Sequence, residues 1–287
     1  MTASPERPIV LLATCAWFLD GEPGHEALDT ALAERGLEAR WARWDDESVD
    51  WAQADLVAVR ATWDYDTRVG EFLGWAAGLG SRVLNGVKVF RWNVDKRYLL
   101  DLQDAGLPVV PTIAADTADD VRRLAARHPV AVIKPRVGAG GRGLEVVSDA
   151  GAWEPAEGAG AWIVQPLVES IHQDGEMSVF VFDGHPVSQV DKLPSTTDVR
   201  VHEHFGGSSR AVPLGREQAV LATEAIATAS GLLGSDLAYG RVDMMRHRGR
   251  LVVSEVELTE PGLYLDLVPQ NAEPFADAVA SRIRRTP

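Results

Sequence analysis

Cysteine is almost missing from this chain. Of its 287 residues only Cys15 carries a thiol, so an intramolecular disulfide is excluded and a reducing compartment suits it. Long hydrophobic runs are missing too, since no stretch reaches the ~20 apolar residues that a membrane helix needs. The apolar segment Ile9–Leu19 is interrupted by Thr14 and Cys15, and Met1–Gly21 has neither the basic start nor the cleavage site of a secretory leader. A buried first strand and a cytoplasmic setting are the expectation. Positive charge is scarce, with 28 Lys and Arg against 42 Asp and Glu and a formal net charge of −14. This disfavours non-specific binding to nucleic acid or an anionic membrane, while leaving room for a local basic pocket. Internal repeats, low-complexity tracts, a Ser/His/Asp-type triad and a G-K-[S/T] closing a glycine tract are all absent. Repeat arrays, triad hydrolases and Walker-type nucleotide sites therefore drop out.

What remains has an ordinary globular balance, 46% hydrophobic and 24% charged, and is long enough for two or three compact units. Ile9–Ala13 reads as a buried strand, His25–Arg35 as a helix stopped by Gly36, and Leu37–Trp44 and Asp55–Arg60 as further strands. This alternation describes an open α/β layer. Arg60, Trp63 and Asp64 lie just past a strand's carboxyl end, where such sheets place ligands, and are candidates for contacting substrate. A structural Arg–Asp pair with a packed Trp accounts for them equally well. Val83–Asn85 reads as a short strand and Lys88–Ala105 as one helix that carries Lys96 and ends at Gly106. Val109–Thr112 is extended, and Asp116–Arg127 is a helix with a capping-box-like Thr117…Asp120 start.

The segment Val130–Val147 is the most distinctive. An apolar run ends in Lys134–Pro135, a glycine tract follows, and Leu144–Val147 is β-like again. Gly138, Gly140 and Gly143 satisfy G-x-G-x-x-G, but a dinucleotide fold needs a helix directly after the glycines, and here a strand is expected. Strand, lysine, glycine loop and strand make a hairpin whose tip can lie over phosphates. The backbone N–H groups of Gly140, Gly141, Arg142 and Gly143 can approach oxygen closely, and Lys134 and Arg142 supply charge. A flexible surface turn is the plain alternative. Beyond a polar link at Gly151–Ala161, Trp162–Leu167 and Met177–Phe182 read as strands, Asp183–Gly184 as a hairpin turn, and Val187–Leu193, with Lys192, as the return. Gly215–Leu233 and Glu273–Arg284 carry helical patterns.

Two further β-patterned runs, Gly240–Met245 and Arg250–Leu258, are joined by Arg246–Gly249. Glu255 and Glu257 share a strand face because side chains alternate. If paired residue numbers sum to 498, Asp243 faces Glu255 and Arg241 faces Glu257. A one-residue slip would send Asp243 to the other side. Three adjacent carboxylates without histidine or cysteine suit a hard cation such as Mg²⁺; the alternative is a solvated acidic strand. His202 and His204 can deprotonate an amine or simply lie at the surface.

In this order the motifs resemble the ATP-grasp superfamily, from about Asn85 to the C-terminus. The set is Asp95-Lys96-Arg97, Val132-Ile133-Lys134-Pro135, the glycine loop, Val164-Gln165-Pro166-Leu167-Val168, Arg241-Val242-Asp243 and Glu255-Val256-Glu257. The nearest likeness is to small ligases of the glutathione-synthetase and ribosomal-modification type. Val59–Tyr65 with Arg91–Asn93 and Asp95–Leu100 resembles the cycloserine synthetase subgroup.

The resemblance implies an α/β (α+β) ATP-grasp fold. An N-terminal open parallel domain (1–87), a small central lid (88–166) and a C-terminal antiparallel-sheet domain (167–287) would make it up. It places ATP on Lys96, Lys134 and the glycine loop, with the adenine edge at Gln165, Leu167 and Val168 and the ribose at Glu176. One or two Mg²⁺ ions would sit on Asp243, Glu255 and Glu257. Lys192 and Arg200 match positions that steady an acyl phosphate, and Arg241 joins them as a catalytic candidate. Glu257 stands where many relatives carry asparagine. The implied reaction is ATP-dependent joining of a carboxylate to an amine through an acyl phosphate. The subgroup form is cyclisation of O-ureido-D-serine to D-cycloserine; dipeptide-like ligation and small-molecule phosphorylation are the alternatives. The partner is then a small amino-acid-like molecule, and a homodimer or homotetramer is expected from the relatives.

Overall fold

The computed structural model describes residues 7–156 and 160–285; the middle of the Gly151–Ala161 link, 157–159, lies outside them. The chain opens with β1 (Ile9–Thr14), α1 (His25–Glu34), β2 (Glu38–Arg43), β3 (Leu56–Ala61) and α2 (Val69–Gly78). The three strands form a parallel sheet in the order β2-β1-β3. β1 lies centrally, so both of its faces must be apolar. Val10 and Leu12 pack with Leu28 and Leu32 of α1, whereas Leu11 and Ala13 face the opposite way with Phe72 and Ala76 of α2.

Next come α3 (Val87–Asn93) and α4 (Tyr98–Asp104). The single helix expected over Lys88–Ala105 is thus two, and Lys96 lies in the break. The reason is tertiary: the Lys96 N–H donates to the Arg136 carbonyl (2.8 Å), and the Asp95 carboxylate accepts the Arg97 N–H (2.9 Å). One long-range and one local partner there replace the i−4 carbonyls that a continuous helix would use. The short strand expected at Val83–Asn85 is a single parallel bridge, Val57 to Val83.

A four-stranded antiparallel sheet follows from β4 (Ile113–Ala115), α5 (Ala118–Ala125), β5 (Ala131–Pro135), β6 (Glu145–Val147) and β7 (Trp162–Pro166), in the order β4-β7-β5-β6. Thr117 caps α5, its side chain accepting the Asp120 N–H. Val121, Leu124, Ile133, Val164 and the edge-to-face pair Trp153–Trp162 give this sheet a core of its own. α3 and α4 pack instead on the larger core, where the Tyr98 hydroxyl accepts the Val256 N–H (2.9 Å).

The third sheet, β10-β9-β8-β11-β12, is antiparallel. It contains β8 (Glu176–Phe182), β9 (His185–Leu193), β10 (Ser208–Val212), β11 (Tyr239–His247) and β12 (Arg250–Glu257), with α6 (Arg216–Leu233) before β11 and α7 (Ala272–Arg285) closing the chain. α6 covers one face through Leu221, Ala225, Ile226 and Ala229 against Val242, Met244, Val253 and Val256. The other face belongs to the site. No helix among the described residues is long and apolar enough to cross a membrane.

Candidate active site

Asp183–Gly184 and Arg248–Gly249 have φ values of 46°, 79°, 52° and 78°, the left-handed pairs that two-residue hairpin turns require. The second turn sets His247 opposite Arg250, a register summing to 497, which holds through Met244 and Val253. A bulge then absorbs Ser254, and Asp243 faces Glu255, Val242 faces Val256 and Arg241 faces Glu257. Without the bulge, Asp243 would oppose Ser254, and Glu255 would fall on the helix-covered face.

The site face is therefore a block of charge. Arg241 donates to Asp243 through Nε (2.9 Å) and Nη2 (2.8 Å) and to Glu257 through Nη2 (2.5 Å). Lys192, 4% exposed, reaches across from β9 to Glu176 (2.8 Å) and Asp243 (3.3 Å). Ser178 and Ser254 donate to Asp243 and Glu176 at 2.6 and 3.0 Å. Lys96, freed by the helix break, pairs with Glu255. Although burial opposes it, Arg241 and Lys192 hold the Asp243 carboxyl well below the usual range. Burial, with Asp243 and Glu255 adding to it against Arg241, lifts Glu257 to about 7. Burial and then Glu257 lift Glu260 to about 8. The face is short of positive charge.

A divalent cation would supply that charge, and the donors fit one. Carboxylate oxygens of Asp243, Glu255 and Glu257 lie within 4.8 Å of one another, an oxygen-only set suited to Mg²⁺. Arg241, shared with Asp243, offsets only part of the charge that Glu257 adds relative to asparagine.

Lys134 projects from β5 toward this face. Among the described residues it has no carboxylate within 4.0 Å, whereas Lys96 and Lys192 are both paired. Burial pushes its ammonium down from the ordinary value, with Glu255 opposing and Lys96 adding to the effect. An unpaired, half-buried lysine is a ready phosphate contact. Beyond it the hairpin is as expected, with Ala131 opposite Val147 and a strand after Gly143; a nicotinamide site on these glycines is thereby excluded. Gly140, Gly141 and Gly143 have φ of 58°, 72° and 70°, and a Cβ at Gly143 would lie 2.7 Å from Pro135 Cγ.

Several candidates are engaged otherwise than expected. Arg142 holds Asp66 (2.7 Å) and the Trp63 carbonyl (2.8 Å). Arg200 pairs with Asp198 (2.5 Å) and stacks on Phe205 (3.5 Å), beside Gly141. Arg60 is wholly buried: it donates to Glu22 (3.0 and 2.6 Å) and Pro261 O (2.7 Å) and lies over Phe275. It joins the parallel sheet to the loop after β12 rather than facing a pocket. Asp64 accepts from Trp44 (2.9 Å) and Arg68 (3.2 Å), likewise a packing role. Trp63 stays beside the site, its indole N–H on Glu260 O (3.0 Å). At the expected adenine edge, Gln165 donates to Thr112 (2.8 Å), the Leu167 N–H to Val130 O (3.0 Å), and Val168 is buried. His202 Nδ1 accepts the His204 N–H (3.1 Å), and both histidines lie exposed at the surface.

Glu22, Asp66, Ser178, Ser254 and Tyr264 enter the network without any sequence motif. The ring of Tyr264 faces Lys192 and Arg241 at about 6 Å, with its own φ at 53°. A bulky residue in the left-handed region was the one local signal available, and it shows only in the backbone.

Comparison with known proteins agrees with this geometry. The D-cycloserine synthetase DcsG N-terminal domain matches residues 10–85, and the prokaryotic glutathione synthetase ATP-grasp domain matches residues 99–262. The cycloserine biosynthesis protein DcsG of Streptomyces lavendulae is 32% identical over 299 residues, spanning 96% of this chain and 99% of that one. The crystal structure of D-cycloserine synthetase DcsG superposes with a TM-score of 0.87 at 30% identity, over 96% and 99% of the two chains. D-alanine–D-alanine ligase from Bacillus anthracis reaches 0.65 at 16% identity, over 97% and 98%, a likeness of fold alone. With a three-carboxylate face, an unpaired lysine and a glycine hairpin set in this fold, the chain belongs to the ATP-grasp superfamily, as a C–N bond-forming ligase closely related to D-cycloserine synthetase.

Proposed function

We propose that the protein cyclises O-ureido-D-serine to D-cycloserine at the expense of ATP. The observation that carries this reading is the match at residues 10–85 to the N-terminal domain of D-cycloserine synthetase, because substrate choice in this fold is expected from that side of the cleft. The substrate carboxylate attacks the γ-phosphorus, the bond to ADP breaks, and an acyl phosphate forms. The nitrogen bonded to the side-chain oxygen then attacks the acyl carbon and phosphate leaves with the bonding pair. The carbamoyl group on that nitrogen departs by hydrolysis as carbon dioxide and ammonia.

Lys134 would hold ATP phosphates, while the buried Lys192–Arg241 pair steadies the acidic face. Magnesium held by Asp243, Glu255 and Glu257 would offset phosphate charge. The glycine loop would keep water from the acyl phosphate. A cytoplasmic setting and a small amino-acid-like substrate go with this reading.

Incubation with ATP, Mg²⁺ and O-ureido-D-serine should give ADP and a cycloserine mass in step. ADP with an intermolecular amide would replace the reading by dipeptide-like ligation, and a stable phosphoester by a kinase. Lys134→Ala should weaken ATP binding about 30-fold by calorimetry, the lower range for losing a buried charge contact.

A further inference from the structure

The glycine loop carries one charged side chain, and its guanidinium does not point at the acidic face. Arg142 donates Nη2 to Asp66 Oδ1 (2.7 Å) and to the Trp63 carbonyl (2.8 Å), and Nε to Asp66 Oδ2 (3.1 Å). The Ala139 N–H adds a fourth contact, to Asp66 Oδ2 (3.3 Å). The guanidinium also lies over the Trp17 ring at 5.7 Å. Asp66 belongs to the helical turn Tyr65–Arg68 just past β3, and its side chain is 8% exposed. Every hydrogen bond described to its carboxylate comes from the glycine loop. Two parallel N–H···O bonds to a carboxylate fix orientation as well as distance, so the loop is held in one register on the N-terminal side.

The contact is aimed at the reaction. Trp63, whose carbonyl receives Arg142, sends its indole N–H to Glu260 O, three residues past Glu257. On its other flank the loop rests on Arg200 and Phe205 at Gly141. The cover over the phosphates is thus seated on the residues that follow β3, where the parallel sheet presents its carboxyl end. An acyl phosphate is lost to water unless such a cover is in place when it forms.

We propose that Asp66 and Arg142 form a positioning pair that ties seating of the glycine loop to the N-terminal side of the cleft, keeping water from the intermediate without either residue touching the reacting atoms. The kinetic part of the test rests on the ligase reading; the proteolytic part does not.

The full-length Asp66→Asn variant keeps the side-chain shape and loses the charge. With the β,γ-imido analogue of ATP and Mg²⁺ present, trypsin should cut its Arg142–Gly143 bond about tenfold faster than in the parent, the effect of losing one charged hydrogen-bond set. Cleavage elsewhere and the melting temperature should stay as in the parent. In turnover, Asp66→Asn and Arg142→Ala should each lower kcat for product about tenfold or more, leave the KM for ATP within about twofold, and release ADP in excess of product. The exchanged pair Asp66→Arg/Arg142→Asp should recover part of the coupling. Parental cutting at Arg142 in Asp66→Asn overturns the proposal, whatever the substrate proves to be. So does Arg142→Ala raising the KM for ATP as far as Lys134→Ala, because Arg142 would then be a phosphate ligand.

Discussion

Glu255→Gln should lower ADP formation by two to three orders of magnitude, the range for removing one preorganised electrostatic contact, and leave the fold intact. Glu255 meets both signs of the site. It shares the metal-holding face with Asp243 and Glu257 and pairs with Lys96. Despite burial, Lys96 and Lys134 lower its pKa, so it is a carboxylate at neutral pH. Glutamine keeps its size but gives a cation one neutral oxygen in place of a charge. Because Lys134 is retained, ATP affinity should fall far less than in Lys134→Ala. Magnesium titration of ADP release should move to higher concentration. Turnover equal to the parent at millimolar magnesium would refute the metal assignment.

Lys192→Ala should be the most damaging change to stability, about 3–5 kcal/mol, as expected when one member of a buried ionic network is removed. Its ammonium sits between Glu176 and Asp243 with 4% of the side chain exposed. The two carboxylates would be left buried with less compensation. For a chain of this size the melting temperature should drop by roughly 10 °C. The pH dependence has a definite sign. In the parent, Asp243 is held below its unfolded value, so its contribution is full above pH ~4 and is lost as the pH falls through its folded pKa. In the variant the freed carboxylates shift upward, and protonating them relieves the fault. The gap between the two proteins should therefore narrow below pH ~5. Calorimetric scans at neutral and acid pH would check it, and a constant gap would place the lysine's contribution in packing.

Local pattern carried much of this fold. The unbroken apolar run Ile9–Ala13 marked β1 as a buried strand, Thr117 and Gly36 marked helix ends, and Asp183–Gly184 marked its turn. The facing of Asp243 with Glu255 was legible because only one parity puts the carboxylates together. What could not be read depends on partners far along the chain. The helix broke at Lys96 because Arg136 offers a carbonyl 40 positions on, a contact that helical periodicity does not report. Arg60 found Glu22 and Arg142 found Asp66, pairs 38 and 76 residues apart. Sequence spacing gave the arginines a sign of charge but no address. The adenine edge was expected at Gln165, Leu167 and Val168, but the Leu167 N–H is spent on the Val130 carbonyl, a partner 37 positions back that strand patterning does not report.

The extra residue in β12 has a consequence for length variation in this hairpin. The two-residue turn and the carboxylate face count the strand differently by one, and Ser254 is the residue that contributes length without pairing. Odd insertions or deletions between the turn and the bulge would invert every side chain beyond them, while even ones would only lengthen or shorten the ladder. Excising Ser254 itself is the exception. Val253 would still face Met244 and Glu255 would still face Asp243, on a strand made regular. The enzyme lacking that serine should fold and retain measurable turnover, whereas one lacking Val252 should fold poorly or not turn over. Evolution can therefore trim this hairpin by one residue at a single place, and a relative with a shortened β12 would be expected to have lost that residue.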